Sequence, residues 1–133
     1  MTSFKAGDGI RFGSFEGTFG MAKILRIDQA VIDLPTPEPV YHLLVYSLRS
    51  IIPPSEAHFA EGKPFIGHLP LLESAFQKSN PEKIAETFVS QDELVAYERW
   101  EEAFYSGESG IFDIPLLEAV TIIVESLGIE KRS

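Results

Sequence analysis

The side chains with the greatest chemical potential in this chain are three histidines and a tyrosine. An imidazole ring gains or loses its proton near neutral pH, so histidine serves acid–base chemistry and metal binding. Tyr41 and His42 lie in an apolar run over 40–48, and His58 and His68 stand ten residues apart in a segment rich in proline and glycine. One hypothesis is therefore a small-ligand or enzyme site at a sheet–helix junction, lined by Tyr41, His42, His58 or His68.

Metal and catalytic motifs have characteristic spacings that this chain lacks. Metal-binding helices place histidines at i and i+4, and a serine nucleophile elbow reads Gly-x-Ser-x-Gly. The chain has neither pattern and no cysteine. His58 and His68 with Glu56 or Glu61 would form at most a two-histidine metal site, and we expect ordinary loop histidines instead. The sequence predicts no catalytic residue, no cofactor and no metal.

Three glutamates, Glu98, Glu101 and Glu102, are the candidate partner-binding residues. They lie close together in a segment with helical periodicity. Catalytic carboxylates generally need burial or a partner that shifts their pKa, whereas these glutamates fall on the predicted outer face of the helix. We therefore expect a solvated acidic surface. Tyr97 and Trp100 fall on the inner face and are predicted core residues.

The net charge of −9 comes entirely from the second part of the chain. Residues 1–50 hold five basic and five acidic groups, and residues 51–133 hold six basic and fifteen acidic groups. Binding to nucleic acid or to an anionic membrane surface depends on clustered lysine and arginine. The charge therefore predicts no nucleic-acid and no membrane partner, and it suits a basic protein partner.

The first half of the chain is predicted to form a sheet. The runs 19–28 and 40–48 are short, apolar on both faces and bounded by glycine, proline or aspartate, which is typical of strands covered on both sides. We expect a meander with further strands over 8–13 and 30–34. We predict that the segment over 55–70 is irregular.

Helices are predicted in the second half. The first covers 69–78 and has Pro70 in its first turn. The second is short and runs from an Asn80 cap to Phe88. The third covers 90–105 and the fourth 113–127. Ser90 and Glu93 form a capping-box pattern before the third of these. The fold class is therefore α+β: an N-terminal antiparallel sheet or small barrel packed against three to four C-terminal helices. We expect one domain over 1–133, with a β-rich lobe over 1–54 and a helical lobe over 69–128.

The last predicted helix is apolar on nearly all sides. Asp113 and Gly128 suit its two ends, although the β-branched stretch 121–124 could also be a strand. A helix of this type is buried, or it presents an apolar face to a second subunit. Self-association through 114–127 is therefore an alternative function.

An opening Phe-x-x-Gly-Asp, a glycine turn, a Lys-Ile-Leu strand and a Tyr-His-Leu-Leu-Val-Tyr strand occupy residues 4–48. This third of the chain resembles SH3-like barrels and is similar to certain immunity proteins of bacterial toxin systems. The resemblance implies a non-catalytic bacterial protein that binds another protein. No apolar run is long enough to cross a bilayer and no signal peptide is apparent, so we expect a cytoplasmic location.

Overall fold

The computed structural model describes residues 4–13, 19–28, 38–46, 54–60, 62–105, 111, 114 and 116–127. It is an α+β fold with a five-stranded sheet, in which two short helices stand between the later strands and two longer helices follow the last strand. The elements in chain order are β1 (Asp8–Gly13), β2 (Phe19–Asp28), β3 (Val40–Tyr46), α1 (Glu56–Ala60), β4 (Pro64–Leu72), α2 (Glu73–Gln77), β5 (Glu82–Glu86), α3 (Gln91–Tyr105) and α4 (Leu116–Leu127).

The sheet is antiparallel throughout, with strand order β4-β3-β2-β1-β5. β1, β2 and β3 lie inside the sheet, and every residue of β3 is buried. The predicted strands over 8–13, 19–28 and the first part of 40–48 are therefore confirmed. Among the described strands, β4 and β5 form the two edges and no pairing joins them. The predicted strand over 30–34 lies outside the described residues.

Each face of the sheet carries its own hydrophobic core, because neighbouring strand residues alternate between the faces. On one face Ile24 and Leu43 pack with Phe76 of α2 and Leu116 of α4. On the other face the core contains Met21, Leu25, Leu44 and Tyr46, together with Phe59 of α1, and Leu94 of α3 packs against it. The prediction that helices cover a two-sided sheet is confirmed.

We predicted an irregular segment over 55–70, and this prediction is wrong. The segment contains α1 and most of β4. Pro70 belongs to β4, where it lies opposite His42 of β3, and the following helix begins only at Glu73. A proline cannot donate a hydrogen bond, so it is tolerated in an edge strand that needs donors on one side alone. The predicted helix over 69–78 is thus wrong in its first turn.

The predicted helix from Asn80 to Phe88 is wrong, because Glu82–Glu86 forms β5. Asn80 has a φ of +52°, a left-handed conformation that does not start a helix. β5 pairs with β1, and Arg11 donates to Glu82 across this pair at 2.6 Å. Pairing with a distant strand overrides the helical preference of a Glu-Lys-Ile-Ala-Glu stretch.

The two long helices agree with the sequence. The capping box before α3 is present: Ser90 N donates to Glu93 Oε1 at 2.8 Å, and Glu93 N donates to Ser90 Oγ at 3.2 Å. α4 is helical through 121–124, and its Leu116 and Ala119 are fully buried. The predicted cap Asp113 lies outside the described residues. No described helix is long and apolar enough to cross a membrane.

Candidate functional site

A carboxylate and two imidazoles from three neighbouring strands form a continuous hydrogen-bonded chain beneath α3. Asp28 ends β2, His42 lies in the middle of β3, and His68 lies in edge strand β4. Asp28 Oδ2 is 2.9 Å from His42 Nε2, and His42 Nδ1 is 2.8 Å from His68 Nε2. His42 is completely buried and His68 is half-buried.

The hydrogen-bond partners determine the tautomer of each ring. Asp28 is a carboxylate and can only accept, so His42 Nε2 carries a proton and donates it. The Nδ1 of neutral His42 then has a lone pair, which accepts a hydrogen bond from His68 Nε2. His68 Nδ1 is left with the lone pair at the end of the chain. A proton accepted by the pair would therefore enter at His68 Nδ1.

Two aromatic side chains of α3 cover the imidazole pair. The ring centroid of Tyr97 lies 4.6 Å from that of His42, and the centroid of Trp100 lies 4.9 Å from His42 and 5.3 Å from His68. Tyr97 and Trp100 are three residues apart and so lie on the same face of the helix. They were predicted to be core residues, and the core they contact here is the histidine pair.

A second set of hydrogen bonds surrounds Asp28. Arg26 Nε donates to Asp28 Oδ1 at 2.7 Å, and the Arg26 guanidinium lies 5.3 Å from the centre of the Tyr97 ring. The Tyr97 hydroxyl donates to Glu101 Oε2 at 3.0 Å. Arg26 thus neutralises the carboxylate that orients His42, and Glu101 is held against the sheet by Tyr97.

Burial is the dominant electrostatic influence on both histidines. It lowers the pKa of His42 below its ordinary value, against the opposing effect of Asp28. Burial, reinforced by the neighbouring His42, lowers the pKa of His68 to about 3. Burial alone would raise the pKa of Asp28, but hydrogen bonds from Arg26 and His42 outweigh it and the pKa is lowered. At neutral pH the hydrogen-bonded chain therefore consists of the ionised Asp28 carboxylate and the neutral imidazoles of His42 and His68.

The sequence hypothesis named four residues for a site at the sheet–helix junction, and the structure brings two of them together. His42 and His68 share a hydrogen bond. His58 is exposed on α1, where its Nδ1 bonds Ser55. Tyr41 lies on the opposite face of the sheet, stacked on Phe76 at 4.2 Å. His58 and His68 thus have separate partners, and no group of three metal-ligating side chains occurs among the described residues.

Sequence reasoning missed Asp28 and Arg26. The available signal was the end of the apolar run 19–28, where an arginine and an aspartate two residues apart share one face of a strand. The sequence could not place Arg26 opposite His42, or Asp28 two residues further along, because the register between β2 and β3 shifts between Ile24 and Arg26. That shift brings Arg26 directly opposite His42.

The three candidate glutamates occupy two different environments. Glu98 and Glu102 are exposed, as predicted. Glu101 is half-buried because it accepts the hydrogen bond of Tyr97. Asp92, in the first turn of α3, is exposed as well, and so is the cation Arg99.

Some acidic groups elsewhere in the fold pair with cations of the same chain, whereas the exposed Glu56 and Glu118 have no such contact among the described residues. Lys5 and Lys83 contact both Asp8 and Glu86, and Lys23 contacts Glu93. By contrast, no such contact joins Asp92, Glu98 or Glu102 to another described residue. We call these three residues the α3 acidic surface.

An exposed aromatic residue precedes the α3 acidic surface. The Phe88 side chain is 92% exposed, although its backbone is firmly held. Lys23, itself buried, donates a hydrogen bond to the Phe88 carbonyl, and Thr87 N donates to Gly7 O at 2.8 Å. Phe88 is therefore displayed to solvent from a fixed segment, four residues before Asp92.

No protein-family model matches the chain, and neither the curated proteins nor the solved structures contain a match to it. The function is therefore inferred from the geometry of this chain.

Proposed function

We propose that the protein is a non-catalytic binding module that captures a basic protein through the α3 acidic surface, with Phe88 as the apolar contact. The observation that carries this proposal is that three exposed carboxylates without a cation partner among the described residues lie on one helix, α3. Acids such as Asp8, Glu86 and Glu93 are paired with lysines of the same chain, whereas Asp92, Glu98 and Glu102 have no cation partner among the described residues. A partner bearing arginine or lysine would supply the missing positive charge.

The chemistry of the surface supports a protein rather than a small molecule as its target. Acidic fields accelerate association with basic partners, and buried aromatic residues provide much of the binding energy at interfaces. Phe88 offers such an aromatic group beside Asp92, and Val95 on the same helix is 41% exposed. An apolar centre with charged neighbours is the usual composition of an interface.

The similarity of residues 4–48 to SH3-like-barrel immunity proteins of bacterial toxin systems agrees with this proposal. An immunity or inhibitor protein is a non-catalytic binder of one protein. In this proposal the sheet is the support, α3 contacts the partner, and the complex forms in the bacterial cytoplasm. A self-associating accessory protein is the alternative, with α4 as the contact, since Ile122 of α4 is 50% exposed.

The test is affinity capture from a lysate of the source cells at low and moderate salt, with bound proteins identified by mass spectrometry and binding then measured with the purified partner. We expect one basic protein whose capture weakens as salt rises. Glu98→Gln with Glu102→Gln should weaken its binding. Glu56→Gln with Glu118→Gln is the matched control, because it changes the net charge equally at exposed sites on other helices.

Three outcomes contradict the proposal: equal binding by the two double variants, binding that is insensitive to salt, or capture of the chain by itself alone. The last would favour self-association through 114–127. Glu101 is left unchanged in this test because it is bonded to Tyr97, and its replacement would disturb the packing of α3. Phe88→Ala is expected to weaken binding without lowering the melting temperature, since the side chain contributes little to the core.

A small-ligand or enzyme role at the sheet–helix junction is the remaining candidate, and the chain of Asp28, His42 and His68 is the observation that favours it. Trp100 and Tyr97 cover this chain, so a substrate would reach it only after α3 moves. Its test is isothermal titration calorimetry with imidazole-binding and carboxylate probes, on the wild-type protein and on His68→Gln. Equal probe affinities of the two proteins would exclude the role.

A further inference from the structure

The hydrogen bond between His42 and His68 lies between the sheet and the helix that carries the α3 acidic surface. Tyr97 and Trp100 rest on the two imidazole rings, at centroid distances of 4.6 to 5.8 Å. Any change in the pair is therefore a change in the surface on which α3 packs. We propose that the His42–His68 pair is an acid-sensitive latch that holds α3 on the sheet and releases it when the pair takes up protons.

Counting protons shows why the pair responds to acid. Two imidazoles have four nitrogens, and the hydrogen bond between His42 Nδ1 and His68 Nε2 requires one of those two nitrogens to stay unprotonated. The assembled pair can therefore hold at most three protons. The fourth proton would place two N–H groups against each other at 2.8 Å. Full protonation is possible only when the rings separate.

The first added proton is also opposed by the surroundings. It would create a cation at His68, which is half-buried beneath the rings of Tyr97 and Trp100. The charged and titratable groups around the pair are Arg26 and Asp28 from β2 and Tyr97 and Glu101 from α3. Asp28 and Glu101 favour a protonated His42, while Arg26 and burial oppose it, and burial is the largest effect.

Protons consequently bind more tightly to the released histidines than to the docked pair. A histidine that is neutral when docked and has an ordinary pKa near 6.5 when released shifts the opening equilibrium by roughly 20-fold between pH 7 and pH 5. Two such histidines shift it by several hundredfold, on the order of the square of that factor. This is a local opening coupled to proton uptake, a recognised type of molecular switch.

Hydrogen–deuterium exchange of the full chain at several pH values tests the latch. We expect the amides of α3 to lose protection on acidification, after correction for intrinsic exchange rates, while β2 and β3 remain protected. His68→Gln should reduce the response to that of a single histidine, roughly 20-fold, because its amide can still donate to His42 Nδ1 but does not titrate. His58→Gln is the matched control and should respond as wild type, since His58 lies on α1 away from the pair.

Three exchange results overturn the latch: protection of α3 that does not depend on pH, a His68→Gln variant with the full wild-type response, or loss of protection in α3 and the central strands together. Should His68→Gln fail to fold, nitrogen-15 NMR of the wild-type imidazoles provides the decision. The latch requires both histidines to be neutral while α3 is docked at pH 5.5, and imidazolium signals in that state refute it. Neither experiment includes a partner, so the latch can fail while the proposed binding function stands, and the reverse.

Discussion

Lys23 of β2 and Glu93 of α3 form an ion pair beneath the start of α3, with Lys23 Nζ 2.9 Å from Glu93 Oε1. The lysine side chain is only 8% exposed, and it also donates to the Phe88 carbonyl. One ammonium group thus ties the sheet to both the segment that displays Phe88 and the capping box of α3. The position of the proposed binding surface depends on this contact.

Replacing Lys23 by methionine should destabilise the protein by about 3 kcal/mol, because breaking a buried ion pair leaves the remaining charge without compensation. Urea denaturation followed by circular dichroism measures the change. Lys63→Met, at an exposed lysine, is the control and should lie within about 0.5 kcal/mol of wild type. Adding Glu93→Gln to Lys23→Met should recover part of the loss; a double variant less stable than the single one would show that the two residues do not act as a pair.

Acid should destabilise the protein through the histidine pair. The folded-state pKa values of His42 and His68 are lowered, the latter to about 3, so the unfolded chain binds more protons below the ordinary pKa. Their contribution to stability is complete above about pH 6.5 and is lost as the pH falls, by up to about 1.4 kcal/mol per pH unit for each histidine. Urea midpoints at pH 7.5, 6.0 and 5.0 measure this slope. The lowered pKa of Asp28 adds a further loss below its ordinary value.

His68→Gln should give a shallower pH dependence than wild type, and His58→Gln should not. A free energy of unfolding that is constant or rises between pH 7.5 and 5.0 would contradict the neutral state assigned to the pair. This measurement concerns the whole fold, whereas hydrogen exchange of α3 concerns the local opening.

Gly7 is expected to be intolerant of any side chain. Its φ is +93°, and a Cβ atom there would lie 2.1 Å from the Thr87 carbonyl oxygen. Gly7 N also donates to Ile24 O at 2.7 Å, and Gly7 O accepts from both Thr87 N and Thr87 Oγ1 at 2.8 Å. The backbone therefore cannot move aside without losing these bonds. Gly7→Ala should cost at least about 2 kcal/mol.

Gly67→Ala is the matched control for Gly7→Ala. A Cβ at Gly67 would meet the Ala96 Cβ at 3.6 Å, an ordinary van der Waals contact between β4 and α3. We expect a change within about 0.5 kcal/mol of wild type. Equal losses from the two substitutions in thermal melts would mean that the close approach to Thr87 is not what restricts position 7.

The sequence-based predictions agree with the structure where an element depends on residues close together in the chain, and they fail where it depends on distant residues. The strands over 8–13 and 19–28 and the helix after Ser90 carry their signals within a few residues, in apolar alternation and in the capping box. β5 carries no such signal, since its residues favour a helix and only their pairing with β1 makes them a strand. Such pairing joins segments some seventy residues apart, which local patterns do not record.

The histidine pair was beyond sequence reasoning for a similar reason. His42 and His68 are 26 residues apart, and Pro70 made the second of them look like part of a loop before a helix. Their contact depends on the pairing of β3 with β4, in which His42 lies opposite Pro70, two residues from His68. The exposed positions of Glu98 and Glu102, by contrast, follow from helical periodicity alone.

Removing the cap of α3 should loosen the helix that carries the acidic surface. Ser90 Oγ accepts from Glu93 N, and Glu93 Oε1 accepts from Ser90 N as well as binding Lys23. Ser90→Ala should therefore cost about 1 kcal/mol, while Ser90→Asp, which also accepts at a helix N-terminus, should lie close to wild type. Urea denaturation gives both values. If the alanine and aspartate variants were equally destabilised, restoring an acceptor at position 90 would not restore stability, and the capping box would not be what fixes the start of α3.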